Sequence, residues 1–504
     1  MSSHEFNLPG ARILVIGAGI MGAGIAQVAA LAGHAVALFD AREGLASQAR
    51  SKLASTLNTL VAKGRIDAAD AAMAIERIEP VTALEQVGEI GLVIEAVLEN
   101  LDVKRALFKQ LEMLVAPQCV LASNTSSLSI TALANGLAHP ERVVGMHFFN
   151  PVPLMKLVEV VSGLRTSPRV AEAVFALANT WDKVAVHTRS TPGFIVNRIA
   201  RPYYAESLAM LQERAAEPHI LDACLRSAGF RMGPCELMDL IGHDTNFAVT
   251  TSVYEANFFD KRFVPSLVQR ELVDAGLLGR KVGRGFYDYA EEGSKPQISA
   301  FSPSDAPPAS ALRVVGSGGV ADQMCEALSK AGCRFSRDTA AHWVGLEADG
   351  AQLRLTDGRP ATAIGDEVAV FDLPLAFKTG ATLAWAPSAR ATDAWCMTAS
   401  RWLRVLGFNP QRLTDSPGLV VARTVAMLIN EAADAVHQGV CSASGADAAM
   451  KLGVNYPAGP FEWLASWSPA GVLAVLDALD THYRGERYRA SPWLRQRAWC
   501  EAPS

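Results

Sequence analysis

Arg12-Ile13-Leu14-Val15-Ile16, Gly17-Ala18-Gly19-Ile20-Met21-Gly22, a small apolar stretch from Ala23 to Ala32, and Ala35-Val36-Ala37-Leu38-Phe39-Asp40 follow one another at the start of the chain. The first and last runs read as strands and the middle stretch as a helix, which predicts a βαβ unit of about 30 residues. Gly17, Gly19 and Gly22 hold the three positions of a dinucleotide-binding turn. Such a turn lets the backbone approach a pyrophosphate. The helix opening at Ile20 and Met21 then offers free N–H groups and a positive dipole end. Asp40 stands 21 residues after Gly19. There a carboxylate accepts hydrogen bonds from a ribose 2′-hydroxyl and repels a 2′-phosphate. The expected cofactor is NAD, with Arg42 as the nearby cation that opposes that preference.

Working outward, further strands are expected at Gly91–Ala96, Val120–Ser123, Arg142–Phe148 and Lys156–Val161. Helical stretches between them imply a mostly parallel, doubly wound sheet. After Pro192 the texture becomes helical through Ala290. Residues 291–310 are rich in Ser, Pro and Ala and read as a linker. Short strands return over 311–412, and helices resume from Asp415. The fold class is α/β. A Rossmann-type domain over 11–190 is followed by an all-α domain over 191–290, the linker, a small degenerate α/β domain over 311–412, and a second helical domain over 413–504.

The last helical region repeats the first. Thr191-Pro192-Gly193-Phe194-Ile195-Val196-Asn197-Arg198 aligns with Ser416-Pro417-Gly418-Leu419-Val420-Val421-Ala422-Arg423. At the same offset of 225 residues, Glu206 meets Glu431 and Asp222 meets Asp447. One residue further out of step, Gly233-Pro234-Cys235-Glu236 meets Gly459-Pro460-Phe461-Glu462. This is a duplicated helical module. The second repeat has Ala422 where the first has Asn197. A second glycine turn, Val314-Val315-Gly316-Ser317-Gly318-Gly319, has Ala321 in the third glycine position and a poor following strand. An intact second cofactor site is not expected there.

Of 504 residues, 50% are hydrophobic and 19% charged, with a net charge of −5. That supplies several packed cores and excludes global disorder. No Lys/Arg block offers a nucleic-acid arm. No apolar run reaches the length of a membrane span. Residues 1–10 lack the basic and apolar regions of a signal peptide. The eight cysteines are scattered without Cys-x-x-Cys spacing, so buried or free thiols in a reducing cytoplasm are expected. No metal-ligand set stands out.

Three segments place polar groups beside strand ends: Ser123-Asn124-Thr125-Ser126-Ser127-Leu128, His147-Phe148-Phe149-Asn150-Pro151 and Lys156-Leu157-Val158-Glu159-Val160. Each has a plain reading. A Ser/Thr run after a strand usually caps a helix, and a lone His is most often structural. Glu159 in an apolar strand needs a partner. His147 on a neighbouring strand would be that partner.

These segments, with the glycine turn and Thr191–Arg198, resemble the L-3-hydroxyacyl-CoA dehydrogenases. Gly279-Arg280-Lys281-Val282-Gly283-Arg284-Gly285-Phe286-Tyr287 resembles their C-terminal signature. The resemblance covers about residues 11–290, and the duplicated module extends it to residue 500. The long form is similar to the bacterial 3-hydroxybutyryl-CoA and 3-hydroxyadipyl-CoA dehydrogenases of aromatic-acid catabolism. It implies an enzyme oxidising (S)-3-hydroxyacyl-CoA with NAD. His147 would be the general base and Glu159 its orienting partner. Ser126 and Asn197 would bind the substrate oxygen. It further implies that Glu99, Lys104 and Asn150 line the cofactor and that Thr56, Lys63 and Ser126 meet the acyl-CoA. Shorter relatives look like dimers joined through the helical module. A homo-oligomer, or an intrachain pseudo-dimer of the two modules, is therefore expected. The rival readings are a His-dependent NAD dehydrogenase of a sugar acid and a catalytically silent NAD-binding protein.

Overall fold

A computed structural model describes residue 6 and residues 8–290, 296–304 and 312–501. Most of the N-terminal stretch read above, and the linker apart from 296–304, lie outside the described residues. The described part of the linker is irregular. One compact unit holds the chain up to Arg198 together with Gln438–Val454, and another holds Ile199–His437 with the residues from Asn455 on. The second helical module is therefore divided between the two.

The first unit is built on an eight-stranded sheet. Its strands are β1 (Ile13–Ile16), β2 (Val36–Phe39), β3 (Ile78–Val81), β4 (Leu92–Glu95), β5 (Val120–Ser123), β6 (Val143–Phe148), β7 (Leu157–Ser162) and β8 (Val184–Arg189). Their spatial order is β3-β2-β1-β4-β5-β6-β7-β8. Every neighbouring pair is parallel except β6–β7. The central strands read as unbroken apolar runs because both faces are covered. Ile13 and Val15 enter one core, and Leu14 and Ile16 the other. β3 and β8, absent from the expected strands, are the two edges of the sheet. An edge position tolerates the Pro80 of β3 and the polar alternation of β8.

The second unit carries a seven-stranded sheet: β9 (Arg313–Val315), β10 (Ser336–Asp338), β11 (Gly345–Ala348), β12 (Ala351–Leu355), β13 (Val368–Phe371), β14 (Thr382–Pro387) and β15 (Asn409–Arg412), in the order β10-β9-β11-β12-β13-β14-β15. The second glycine turn does join β9 to the helix Gly319–Lys330 and a parallel β10. However, β11 runs antiparallel to β9, whereas β4 runs parallel to β1. The crevice between carboxyl ends of parallel strands is thus not rebuilt beside this turn.

The duplication reaches further back than the helices. The pairs Gly145↔Val161 and Met146↔Val160 recur as Val370↔Ala386 and Phe371↔Trp385. The β7–β8 register, Leu157↔Val184 and Glu159↔Val186, recurs as Thr382↔Asn409 and Ala384↔Gln411. All keep the offset of 225 seen between Gly145 and Val370. Sequence comparison alone misses these strands because almost no side chains are kept while the backbone pairing is.

The two helical modules also pair reciprocally. Arg423 and Arg487 of the second each donate to Glu206 of the first at 2.8 Å. Arg262 of the first donates to Glu431 of the second at 3.1 Å and to Asp434. Trp463 of the second lies 5.6 Å from Phe230 of the first, ring to ring. The glycine-rich signature wraps the buried Asp239, which accepts from Phe286 N, Tyr287 N, Tyr289 Oη and His243 Nε2. A Cβ on Gly285 would lie 2.0 Å from the Asp239 carboxylate, so the signature is a packing motif at that point. All eight cysteines are free. No helix among the described residues is long and apolar enough to cross a membrane.

Candidate active site

The glycine turn leads from β1 into helix α1 (Ile20–Leu31). Gly17 has φ +100°, and a Cβ there would lie 2.6 Å from Ala96 O. A Cβ on Gly22 would meet Gly17 O at 1.7 Å, so Gly22 seats the helix against the turn. A Cβ on Gly19 would meet nothing within 4 Å, which leaves the backbone open to a ligand. α1 has no side-chain cap and no acid in its first turn. The N–H groups of Ile20, Met21 and Gly22 are therefore left to an anion. Ile20 itself is an exposed apolar side chain. The turn opens on a cleft of about 790 Å³ lined by Gly17, Gly19, Asp40, Arg42, Val97 and Leu107. This open cradle fits NAD.

Asp40 accepts from Ala18 N at 2.8 Å and from Arg42 N at 2.9 Å. Burial acts to raise its carboxyl, but those backbone donors and the Arg42 side chain outweigh it and hold it below its ordinary range. A carboxylate thus stands at the cleft, while the Arg42 side chain is mostly exposed. Asp40→Ala is expected to lose about ten-fold or more in kcat/KM for NAD, the size of one charged hydrogen bond. It should lose little for NADP. Comparing the two cofactors in wild type and variant checks this, and equal wild-type kcat/KM values would show that Arg42 overrides Asp40.

His147, the next-to-last residue of β6, is 6% exposed, and Glu159 faces it across the antiparallel pair. Nδ1 of His147 donates to Glu159 Oε2 at 2.5 Å. Glu159 Oε1 accepts from Ile195 N and Val196 N, both at 3.0 Å. The carboxylate is fixed by two backbone donors and the imidazole by the carboxylate. His147 Nε2 has no partner among the described residues, so it is the nitrogen left to take a proton. The ring packs on Phe149 and Phe194, with centroids at 4.5 and 5.9 Å. Asn197 Nδ2 donates to Ser126 O at 3.5 Å. Asn124 Oδ1 accepts from Phe148 N at 2.9 Å. Ser126, His147, Glu159 and Asn197 thus sit on one circuit of backbone and side-chain links.

A buried charge chain supports the Ser126 loop. Lys104, 1% exposed, donates to both oxygens of Glu95 at 2.9 Å and lies 3.2 Å from Glu99. Glu95 also accepts from Ser123 Oγ. Glu99 Oε1 accepts from Thr125 Oγ1 at 2.6 Å and Ser126 N at 3.0 Å. Burial pushes the Glu99 carboxyl up, but the Lys104 ammonium and these donors hold it below its ordinary range. Lys104, expected to line the cofactor, has its ammonium enclosed by two carboxylates, Glu95 and Glu99. Glu95 and Asn124 were not singled out from sequence. A carboxylate ending an apolar strand is the same signal that marked Glu159.

The remaining expected residues are less engaged. Asn150 is exposed after β6. Thr56 and Lys63 are exposed on helix α2 (Leu45–Ala62) and at its C-cap, seven residues apart and so on one side. Thr56 Oγ1 donates to Lys52 O within its own helix.

The second repeat carries no such chemistry. Asp372 stands at the position of His147, Ala384 at that of Glu159 and Ala422 at that of Asn197. Asp372 accepts from Val420 N, Val421 N and Ala422 N at 2.7–2.9 Å. One carboxylate takes over the backbone-holding task of Glu159 and leaves no imidazole.

Residues 12–191 match the 3-hydroxyacyl-CoA dehydrogenase NAD binding domain, and 193–289 and 418–500 match the C-terminal domain of the same family. Residues 353–417 match the 3-hydroxybutyryl-CoA dehydrogenase reduced Rossmann-fold domain. The chain is 43% identical over 492 residues to the 3-hydroxyadipyl-CoA dehydrogenase of Escherichia coli K12, covering 97% of this chain and 98% of that one. It is 41% identical to a probable 3-hydroxybutyryl-CoA dehydrogenase of Bacillus subtilis, over 56% of this chain and 99% of that one. A crystal structure of 3-hydroxybutyryl-CoA dehydrogenase from Escherichia coli K12 superimposes with TM-score 0.88 at 42% identity, over 97% of this chain and 98% of that one.

Proposed function

The chain belongs to the 3-hydroxyacyl-CoA dehydrogenase family, and from that premise we propose how its own residues carry out NAD-dependent oxidation of a 3-hydroxyacyl-CoA to the 3-oxoacyl-CoA. The observation that carries the reading is the His147–Glu159 pair, with Nδ1 engaged and Nε2 left over. Nε2 takes the proton of the substrate 3-hydroxyl. Glu159 holds the ring in that tautomer and offsets the positive charge that forms on it. Ser126 and Asn197 donate to the substrate oxygen as it becomes a ketone. NAD, when bound at the glycine turn, supplies the acceptor for the hydride leaving carbon 3. In reverse, His147 returns the proton from Nε2, with Glu159 still holding Nδ1. Thr56 and Lys63 are read as contacts for the CoA portion, and Asn150 as a cofactor contact.

The test is oxidation of NADH with acetoacetyl-CoA, compared with free acetoacetate and with a keto sugar acid. Turnover confined to the thioester supports the reading. Equal turnover of free acetoacetate would sink the CoA assignment, and turnover of the sugar acid alone would favour the rival dehydrogenase. 3-Hydroxybutyryl-CoA against 3-hydroxyadipyl-CoA then ranks the acyl chains. The two helical modules are read as an intrachain pseudo-dimer, supported by the reciprocal Arg487–Glu206 and Arg262–Glu431 pairs. A cytoplasmic location is proposed on the eight free thiols.

A further inference from the structure

We infer that residues 438–454 of the second repeat complete the catalytic site of the first, with Gln438 and Gly453 as positioning residues for the turn that carries Asn197. The inference rests on the reading of His147 as base.

The helix Ala443–Gly453 packs on β7 and β8, in the same compact unit as the site. It ends at Gly453, where a Cβ would lie 2.7 Å from Leu157 Cδ2, 3.0 Å from Val196 Cγ2 and 3.6 Å from Phe149 Cε1. Each of these neighbours bears on the site. Phe149 packs on the His147 ring, Val196 N holds Glu159, and Leu157 lies two residues before Glu159 on β7. At the other end of the segment, the buried Arg198 donates to Gln438 Oε1 at 2.9 Å. Arg189 N donates to Val440 O at 2.9 Å and so ties the segment to the edge strand β8. Residues 196 and 198 are thus both gripped by this segment, one by van der Waals contact and one by a charge-assisted hydrogen bond. Asn197 lies between them.

The second repeat has Asp372, Ala384 and Ala422 where a site would need His, Glu and Asn. It makes no site of its own, yet its segment walls the site of the first. Close packing transmits small displacements, because a core has no slack to absorb an added methyl group.

The test uses the full-length protein with Gly453→Val and Gln438→Ala. The readouts are kcat with acetoacetyl-CoA, NADH affinity by fluorescence, thermal melting, and the isotope effect with NADH deuterated at the transferred position. Gly453→Val is expected to lower kcat about ten-fold, in line with the cost of an ångström-scale misplacement. NADH affinity should stay put and the isotope effect should rise, because the chemical step becomes slower. Gln438→Ala, at an exposed side chain, should move both readouts the same way but less, and Gln438→Glu should restore them. A fall in kcat that only tracks the folded fraction, with an unchanged isotope effect, would overturn the inference. So would wild-type kcat in both variants. If Gly453→Val does not fold, Gln438→Ala and its rescue decide alone. His147→Gln is run alongside. Retained turnover there removes the base assignment, and this inference falls with it. Lost turnover there with unaffected Gly453 and Gln438 variants removes this inference only.

Discussion

His147→Gln is expected to lower turnover about 100-fold or more, since a positioned acid–base group contributes about 10²–10⁴. Binding of NADH should be unchanged within error, because the glycine turn and Asp40 do not contact His147. Glutamine can still donate to Glu159, so the circuit through Ile195 and Val196 is kept and the loss reports the missing proton acceptor. Glu159→Gln should cost less than His147→Gln, since the imidazole that takes the proton is kept and only its carboxylate partner is lost. Steady-state rates across pH with a fluorescence titration of NADH check both. Near wild-type turnover in His147→Gln would remove this residue from the mechanism.

A chain ended after residue 290 is expected to self-associate and to melt well below full length. Truncation removes Arg423 and Arg487 from the buried Glu206, and Glu431 and Asp434 from the buried Arg262. Breaking a buried pair by removing one partner costs about 3–5 kcal/mol. It also strips residues 438–454 from β7 and β8. Two truncated chains can restore part of this by pairing Glu206 of one with Arg262 of the other, since Arg262 and Arg487 occupy matching positions in the repeats. Sedimentation and thermal melting are the measurements. A truncated protein that stays monomeric, melts with full length and keeps its activity would falsify the intrachain pseudo-dimer.

The dinucleotide half was legible because its constraints are local. Gly17, Gly19, Gly22 and Asp40 lie within one βαβ unit, and each has a steric or electrostatic reason visible from spacing. His147 and Glu159 were legible as a pair because a carboxylate in an apolar strand demands a partner. The enclosure of Lys104 by Glu95 and Glu99 was not legible, although they lie only nine and five residues before it, because neither carries a spacing signal of its own. Residues 438–454 were invisible as part of the site because some 240 residues separate Gln438 from Arg198. The strand repeat was missed because hydrogen-bonded register survives nearly complete exchange of side chains. The helices kept their Pro-Gly turns, where backbone geometry restricts the residue. Gly193 and Gly418 have φ of +77° and +74°, and Phe194 and Leu419 +46° and +50°.

The reciprocal arginine–glutamate pairs have a consequence for how this protein behaves on dilution. In a dimer of single-module chains, such contacts form by mass action, so folding stability and activity fall together as protomer concentration drops. Here both halves of each pair lie on one polypeptide, and the second face is present at a fixed effective concentration whatever the number of molecules in the cell. The tie is also asymmetric under mutation. A change at Glu206 alters one contact and leaves its counterpart at Glu431 untouched, whereas in a symmetric dimer one codon alters both.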